Sequence, residues 1–568
     1  MTESRTDSRL FDWLWFFTWA VGSSIWCWTA ARNLGATFDE PVYVARGLEC
    51  WRTGSHHGLM QLGTMPLPVD LDTLPLYVWE RWHGIQLDPE ADLPRLLPWA
   101  RAGTLVFWWL LLVYARLSGR QLAGPWGGRL AVAMLAFEPS MLAHASLATT
   151  DIAVTTCLLA LVYHFRQGRE AGWFWRVGVP TFWFAACALA KASGLIFGIL
   201  CLLVVELERL LRQKHQGSLR TVFWTFFSTL RWDLLQIGIG GLLLTFLYCG
   251  SDWRPEPSFV KWAHELPAGP GSQAMVWLAD HLCIFSNAGE GLVRQVKHNV
   301  RGHGTYLLGQ VATRSIWYYF PVVLTIKLSL PLLILPLGLL LIRPRALLNW
   351  AFLAALALLA FSITYRVQIG IRLVLPLVAL AAIGLAAAAV QACRSVHVRV
   401  ILGVGVVWTA LAAILVWPEA LCYTNELWGG TKQGYLLLSD SNYDWGQGLC
   451  ELERWRQKHT QDPLDVWYFG TDPALRMLPM KETRLQAMAL YGPGDVLARL
   501  RGHYLAVSTT VLHGSIQTLM LAGSPEARSY EQAVALLRTR QPIDRTTTFL
   551  IYDFRQEGAE AGHARVQK

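Results

Sequence analysis

Charge is what this chain has least of. Only 16% of its 568 residues are Asp, Glu, Lys or Arg, where a soluble globular domain carries roughly 25%, so a soluble enzyme is the first class to be set aside. Ten cysteines are scattered without a CxxC pair. Cys157, Cys187 and Cys201 fall inside apolar runs, so spacing signals neither a zinc site nor a disulfide framework. There is no low-complexity tract and no internal repeat, and the lack of a repeat counts against a transporter built from inverted halves.

What fills the chain is apolar and aromatic. Hydrophobic residues make up 53%, with 28 Trp, 23 Phe and 17 Tyr; such rings suit membrane interfaces and also stack on sugar faces. The 49 basic residues exceed the 40 acidic ones by 9. In a membrane protein that excess marks cytoplasmic loops, and no nucleic-acid partner is expected. The apolar stretch after Met1–Arg9 is too long and too rich in Trp for a cleaved signal peptide and reads as a retained first span.

Apolar runs at Leu10–Ala30, Pro98–Leu117, Gly128–Ala143, Asp151–Phe165, Val177–Ala190, Ala192–Leu207, Trp232–Tyr248, Tyr318–Ile342, Leu347–Ile363, Leu373–Val390 and Val400–Trp417 predict about eleven transmembrane helices. Basic residues collect in alternate loops: Arg116, Arg120 and Arg129; Arg166, Arg169 and Arg176; Arg209, Arg212, Lys214, Arg220 and Arg231; Arg343 and Arg345; Arg394 and Arg399. That places the N-terminus in the cytoplasm, and the long loops 31–97 and 250–317 outside with everything after Trp417. The expected architecture is a mainly α, polytopic membrane bundle over residues 1–417, followed by a soluble extracytoplasmic α/β domain over 418–568. In that tail, Tyr435–Ser439, Leu464–Phe469, His503–Ser508 and Thr548–Tyr552 read as strands, and Gly446–His459 and Ser529–Arg538 as helices.

Ionisable residues at the outer ends of spans are the candidates for chemistry. Phe38-Asp39-Glu40-Pro41, with Tyr43 and Arg46 after it, opens a short surface helix. Two adjacent carboxylates point to different sides of a helix, so one can face a reaction centre; equally, both can serve the helix dipole. Asp151, after Thr149 and Thr150, is either a reactive carboxylate on the same side or a helix cap. Lys191, between two apolar stretches, needs an anionic partner or must snorkel, and Arg372 has the same position. Lys297-His298-Asn299-Val300-Arg301-Gly302-His303-Gly304 is either a polar loop or a phosphate or sugar clamp. Its two histidines fix no third metal ligand.

In order along the chain these segments resemble the type C membrane glycosyltransferases, in particular the family 39-like group of protein O-mannosyltransferases, aminoarabinose transferases and bacterial relatives. Phe38–Pro41 is similar to that group's first acidic motif, Thr149–Asp151 to its second acidic position, and Leu189–Ala192 to its lysine segment. Gly302–Gly309 with Trp317–Pro321 is the most specific likeness, and Asp440-Ser441-Asn442-Tyr443-Asp444-Trp445-Gly446-Gln447 resembles a motif opening the tail of bacterial members. The resemblance implies an enzyme of the inner membrane that moves a hexosyl or pentosyl unit, with inversion, from a polyprenyl-phosphate donor to a hydroxyl or amine on a glycan, lipid or protein. It implies Asp39, Glu40 and Asp151 as catalytic acids, and leaves open whether they hold a divalent ion. It further implies Lys191, Arg301, His303 and Arg372 on the donor phosphate, and Tyr43, His298 and Tyr306 on the sugar or acceptor. The chain departs from the group in its long segment Arg52–Leu97 and in a tail unlike the carbohydrate-binding module of eukaryotic members. A transporter or lipid flippase, whose intramembrane charges line a path, is the rival reading, and a non-catalytic scaffold for envelope assembly a third.

Overall fold

The computed structural model describes residues 3–213, 224, 226–283, 286–393, 395–459, 462–488, 492–514 and 523–555. Lys214, Arg220 and Arg394 lie outside them. The chain is mainly helical. Four helices are long and apolar enough to cross a membrane: Leu93–Ala136, Arg231–Cys249, Ile371–Ala392 and Val396–Leu415. The helices Tyr319–Lys327 and Leu330–Ile342 make a fifth span if taken as one, bent by 111°. The other expected spans are helical as well but do not meet that measure of length, hydropathy and charge, so the sequence count of eleven is not reached by it.

Two of the expected spans, Pro98–Leu117 and Gly128–Ala143, are separated within Leu93–Ala136 by a break where Ala123 and Gly124 leave helical geometry ahead of Pro125, and the second ends at Ala136, followed by the short helix Pro139–Ala145. The run Tyr318–Ile342, continuous in hydropathy, is instead broken at Leu328–Ser329. Lys327 is the cause: its ammonium is buried and donates to the carbonyls of Leu421, Tyr423 and Asn442 at 2.8, 2.7 and 2.9 Å, and satisfying an ammonium there turns the chain inward.

Packing sorts the helices. The alanine-rich stretch Ile371–Ala392 has 83% of its apolar window buried, whereas Val396–Leu415 has 17% and presents Val400, Ile401, Val404 and Leu411 outward. Small side chains let helix backbones approach closely, and an outer face of branched apolar side chains is what a lipid-facing helix presents. At one end of the bundle the basic loops meet acids: Asp12 pairs with Arg129 at 2.6 Å, Arg166 with Glu208 at 3.0 Å, and Arg169 with Asp233 at 2.7 Å.

The tail carries a five-stranded sheet in the order Lys481–Glu482, Leu464–Trp467, Tyr504–Ser508, Phe549–Asp553, Asp544–Arg545. The first three strands are parallel and the last two join antiparallel, with Val466 opposite Ala506 and Ala506 opposite Ile551. Both central strands are buried throughout, as expected where both faces are covered. Helices Leu449–His459 and Pro525–Thr539 match the expected pattern. Tyr435–Ser439 does not form the expected strand: the chain there follows a 3₁₀ helix, Thr431–Leu436. Gly434 lies so close to Thr424 and Tyr443 that a Cβ would overlap both, and this contact overrides the alternating pattern.

Candidate functional site

Arg101, in the Leu93–Ala136 helix, organises the loop that carries the first acidic motif. Its guanidinium donates to the carbonyls of Ala31, Leu34 and Gly35 at 2.7, 3.1 and 2.7 Å. It also grips both oxygens of Glu40, at 2.8 and 2.6 Å. Glu40 accepts three further bonds, from the backbone N–H groups of Thr37 and Ala148, both 2.8 Å, and from the Thr37 hydroxyl at 3.0 Å. Burial by itself would raise the Glu40 carboxyl, but Arg101 and these bonds hold it below the usual range. Grouped with the catalytic acids by sequence, Glu40 is thus a buried strut: it is fully enclosed and has no free oxygen for an acceptor or an ion. Breaking a buried pair from one side leaves the other charge stranded, at a cost of about 3–5 kcal/mol. Glu40→Gln should therefore lower the melting temperature of the detergent-solubilised protein sharply, and Glu49→Gln, in a half-exposed pair with Arg46, should leave it nearly unchanged.

With Glu40 anchored, its neighbour Asp39 faces the other way. Asp39 accepts a 3.0 Å bond from Arg372 Nη1, their side chains being 24% and 12% exposed. Arg372 is attracted first by Asp39, then by Asp151 and Asp440, and its guanidinium lies 4.1 Å over the Trp445 ring. Asp151, the first residue of the Asp151–Gly168 helix, accepts from Lys191 Nζ at 2.5 Å. Lys191 occupies an extended break between the helices Val179–Ala190 and Ser193–Gln213. The break is tight: a Cβ on Gly194 would come within 2.2 Å of the Cys187 carbonyl. Two acids and two cations from four distant stretches thus meet at one end of the bundle.

Several polar atoms here are buried and unpartnered: Asp151 Oδ2, His144 Nδ1, Thr149 Oγ1, His303 Nδ1 and Arg372 Nε. Orphaned groups of this kind cost free energy unless a ligand or water meets them. Burial pushes the His303 imidazole down to about 4, helped by His298, Arg372 and Arg301. Burial also lowers His298, again with Arg372 and Arg301. His303 is therefore neutral at pH 7 and becomes a cation only against a new negative charge. The His298 and His303 rings sit 5.4 Å apart, and Arg301 is exposed beside them. Tyr43 lies in the field of Asp39 and Arg372. Tyr306 is elsewhere: its hydroxyl donates to the Leu436 carbonyl at 3.0 Å and its ring faces His513. Asp39, Glu40 and Asp151 sit in three separate ion pairs and do not converge as ligands of one ion.

The tail motif does work that sequence reasoning did not assign. Asn442 Oδ1 accepts from the Ile371 backbone N–H at 2.8 Å, and Ser441 Oγ donates to the Ile369 carbonyl at 2.8 Å, fixing the residues that precede Arg372. The Trp445 carbonyl accepts from the Phe38 N–H at 2.8 Å, beside Asp39. One short segment therefore positions both members of the Asp39–Arg372 pair. A Cβ on Gly370 would meet Ser441 Oγ at 2.3 Å, so Gly370→Ala should displace Arg372. Misplacement by about 1 Å can cost ~10²-fold, and the check is a fall in kcat with the melting temperature retained. Lys327 was missed although a lysine inside an apolar run is a sequence signal; His144 and Asp440 stood within sequence motifs without an assigned role.

No protein-family model matches the chain, and no curated protein matches it. Among solved structures, 19 chains match. One is ArnT from Cupriavidus metallidurans bound to undecaprenyl phosphate, at 14% identity and TM-score 0.43, covering 94% of this chain and 97% of that one. Another is the archaeal oligosaccharyltransferase AglB from Archaeoglobus fulgidus in complex with an inhibitory peptide and a dolichol-phosphate, at 10% identity and TM-score 0.44, covering 89% of this chain and 72% of that one. The chain is thus similar, along most of its length, to structures of ArnT and of an oligosaccharyltransferase.

Proposed function

We propose that this protein is a membrane glycosyltransferase that moves a sugar from a polyprenyl-phosphate donor to an acceptor hydroxyl or amine at the outer face of the membrane, with inversion at the anomeric carbon. The observation that carries the reading is the junction at Arg372, where Asp39 and Asp151 meet a guanidinium and, through Lys191, an ammonium, with buried polar atoms left unpaired around them. Asp39 is the base: it is partly exposed, and its hydrogen bond to Arg372 occupies one oxygen. It takes the proton of the acceptor hydroxyl as the acceptor oxygen bonds to the anomeric carbon and the bond from that carbon to the phosphate oxygen breaks. Arg372, Lys191 and neutral His303 receive the negative charge that grows on the departing lipid phosphate. The lipid tail lies along the apolar outer surface. In this reading the site faces the periplasm, and the basic loops that pair with Asp12, Glu208 and Asp233 face the cytoplasm.

The purified full-length protein, given polyprenyl-phosphate donors carrying labelled hexoses or pentoses and an envelope lipid extract as acceptor, should release polyprenyl phosphate and label the acceptor. Intact donor with every sugar tried would overturn the transferase. Movement of intact donor between leaflets of proteoliposomes, without cleavage, would favour a flippase.

A further inference from the structure

We infer that a second site, away from the Arg372 junction, binds a zinc ion through Cys50, His56 and Asp70. The three come from different elements: Cys50 from the helix Glu40–Thr53, His56 from the cap of His57–Met60, and Asp70 from Pro66–His83. One ligand atom from each lies within 4.8 Å of the other two. Along its helix Cys50 is about 16 Å from Asp39, at 1.5 Å per residue, so this is a separate place.

The hydrogen bonds point to a cation. Asp70 is 4% exposed, yet its Oδ1 has no partner. Its Oδ2 accepts from Tyr248 Oη at 2.8 Å and faces His56 Nε2 at 2.9 Å. A neutral imidazole presents one nitrogen lone pair to a metal, and the partners around the ring set its orientation. Here His56 Nε2 and Asp70 Oδ2 pair at 2.9 Å, and a cation held between them takes the place of the proton they share.

Thiolate, imidazole and carboxylate together suit zinc, which takes sulfur at about 2.3 Å and nitrogen at about 2.0 Å in tetrahedral geometry. Cys50 binds as thiolate, so its proton leaves on binding. The surroundings are dry and sulfur-rich, with Met60, Met65 and Cys249 in the same apolar cluster. An ion here ties the first long loop to the end of the Arg231–Cys249 helix through the Tyr248 hydroxyl on Asp70.

Full-length protein purified without chelator should retain about one zinc per chain by elemental analysis. Replacing zinc by Co2+ should give tetrahedral visible bands and a thiolate charge-transfer band. Cys50→Ser should abolish that band, and His56→Gln and Asp70→Asn should each lower zinc retention by at least about tenfold. The cobalt spectrum of the unaltered protein keeps the test decisive where a variant fails to fold. Metal-free protein with no cobalt spectrum would overturn the site, as would a Cys50–Cys249 disulfide found by peptide mass analysis of the native chain.

Discussion

Asp39→Asn should lower the rate of the proposed sugar transfer by about 10²–10⁴-fold, the span that general-base help contributes, and leave donor binding nearly unchanged. The amide keeps the shape of the side chain and can still accept a bond from Arg372, so the 3.0 Å contact survives. What it loses is a lone pair basic enough to take the acceptor proton. The effect belongs in kcat, because the acid acts when the proton moves and contributes little to holding the ground state. Steady-state release of polyprenyl phosphate, with donor binding measured separately, checks both halves. A rate within about threefold of the unaltered enzyme would remove Asp39 from the chemistry.

Arg372→Lys is the second large effect, about 10²–10³-fold, the size seen when one preorganised donor to a growing oxyanion is removed. The change keeps the positive charge and is still not conservative. A guanidinium can pair with Asp39 through one edge, keep Nε free, and lie flat on Trp445 at 4.1 Å. An ammonium has neither the fork nor the plane. The product polyprenyl phosphate should also inhibit this variant less, since the same group meets its charge. Unchanged inhibition with a reduced rate would assign Arg372 to holding Asp39 alone.

Much of the site was legible because the membrane makes charge expensive. Asp39, Asp151, Lys191 and Arg372 stood out at the ends of apolar runs, and the structure brings these four together. Glu40 looked identical to Asp39 in sequence. Its partner, Arg101, lies 61 residues on, within an apolar run where nothing in the spacing marks the pair. The tail motif was visible as a motif, but its hold on Ile371 and Phe38 is a matter of backbone bonds that no residue pattern encodes. Cys50, His56 and Asp70 escaped for the same reason: irregular intervals of 6 and 14 residues match no ligand signature, and the helices between them close the distance. One span was misjudged where a local demand outweighed hydropathy: Tyr318–Ile342, broken after Lys327.

The position of Trp445 and Asn442 in the chain also sets a schedule. Asp39, Asp151, Lys191 and Arg372 are all translated and inserted before the ribosome reaches residue 442, so for that interval the bundle carries its reactive groups without the clasp that holds Arg372 and Phe38. In the proposed reaction, donor lipid already in the bilayer would meet an unassembled centre during that interval, and competence would arrive in one late event, when the nascent tail folds back onto the bundle.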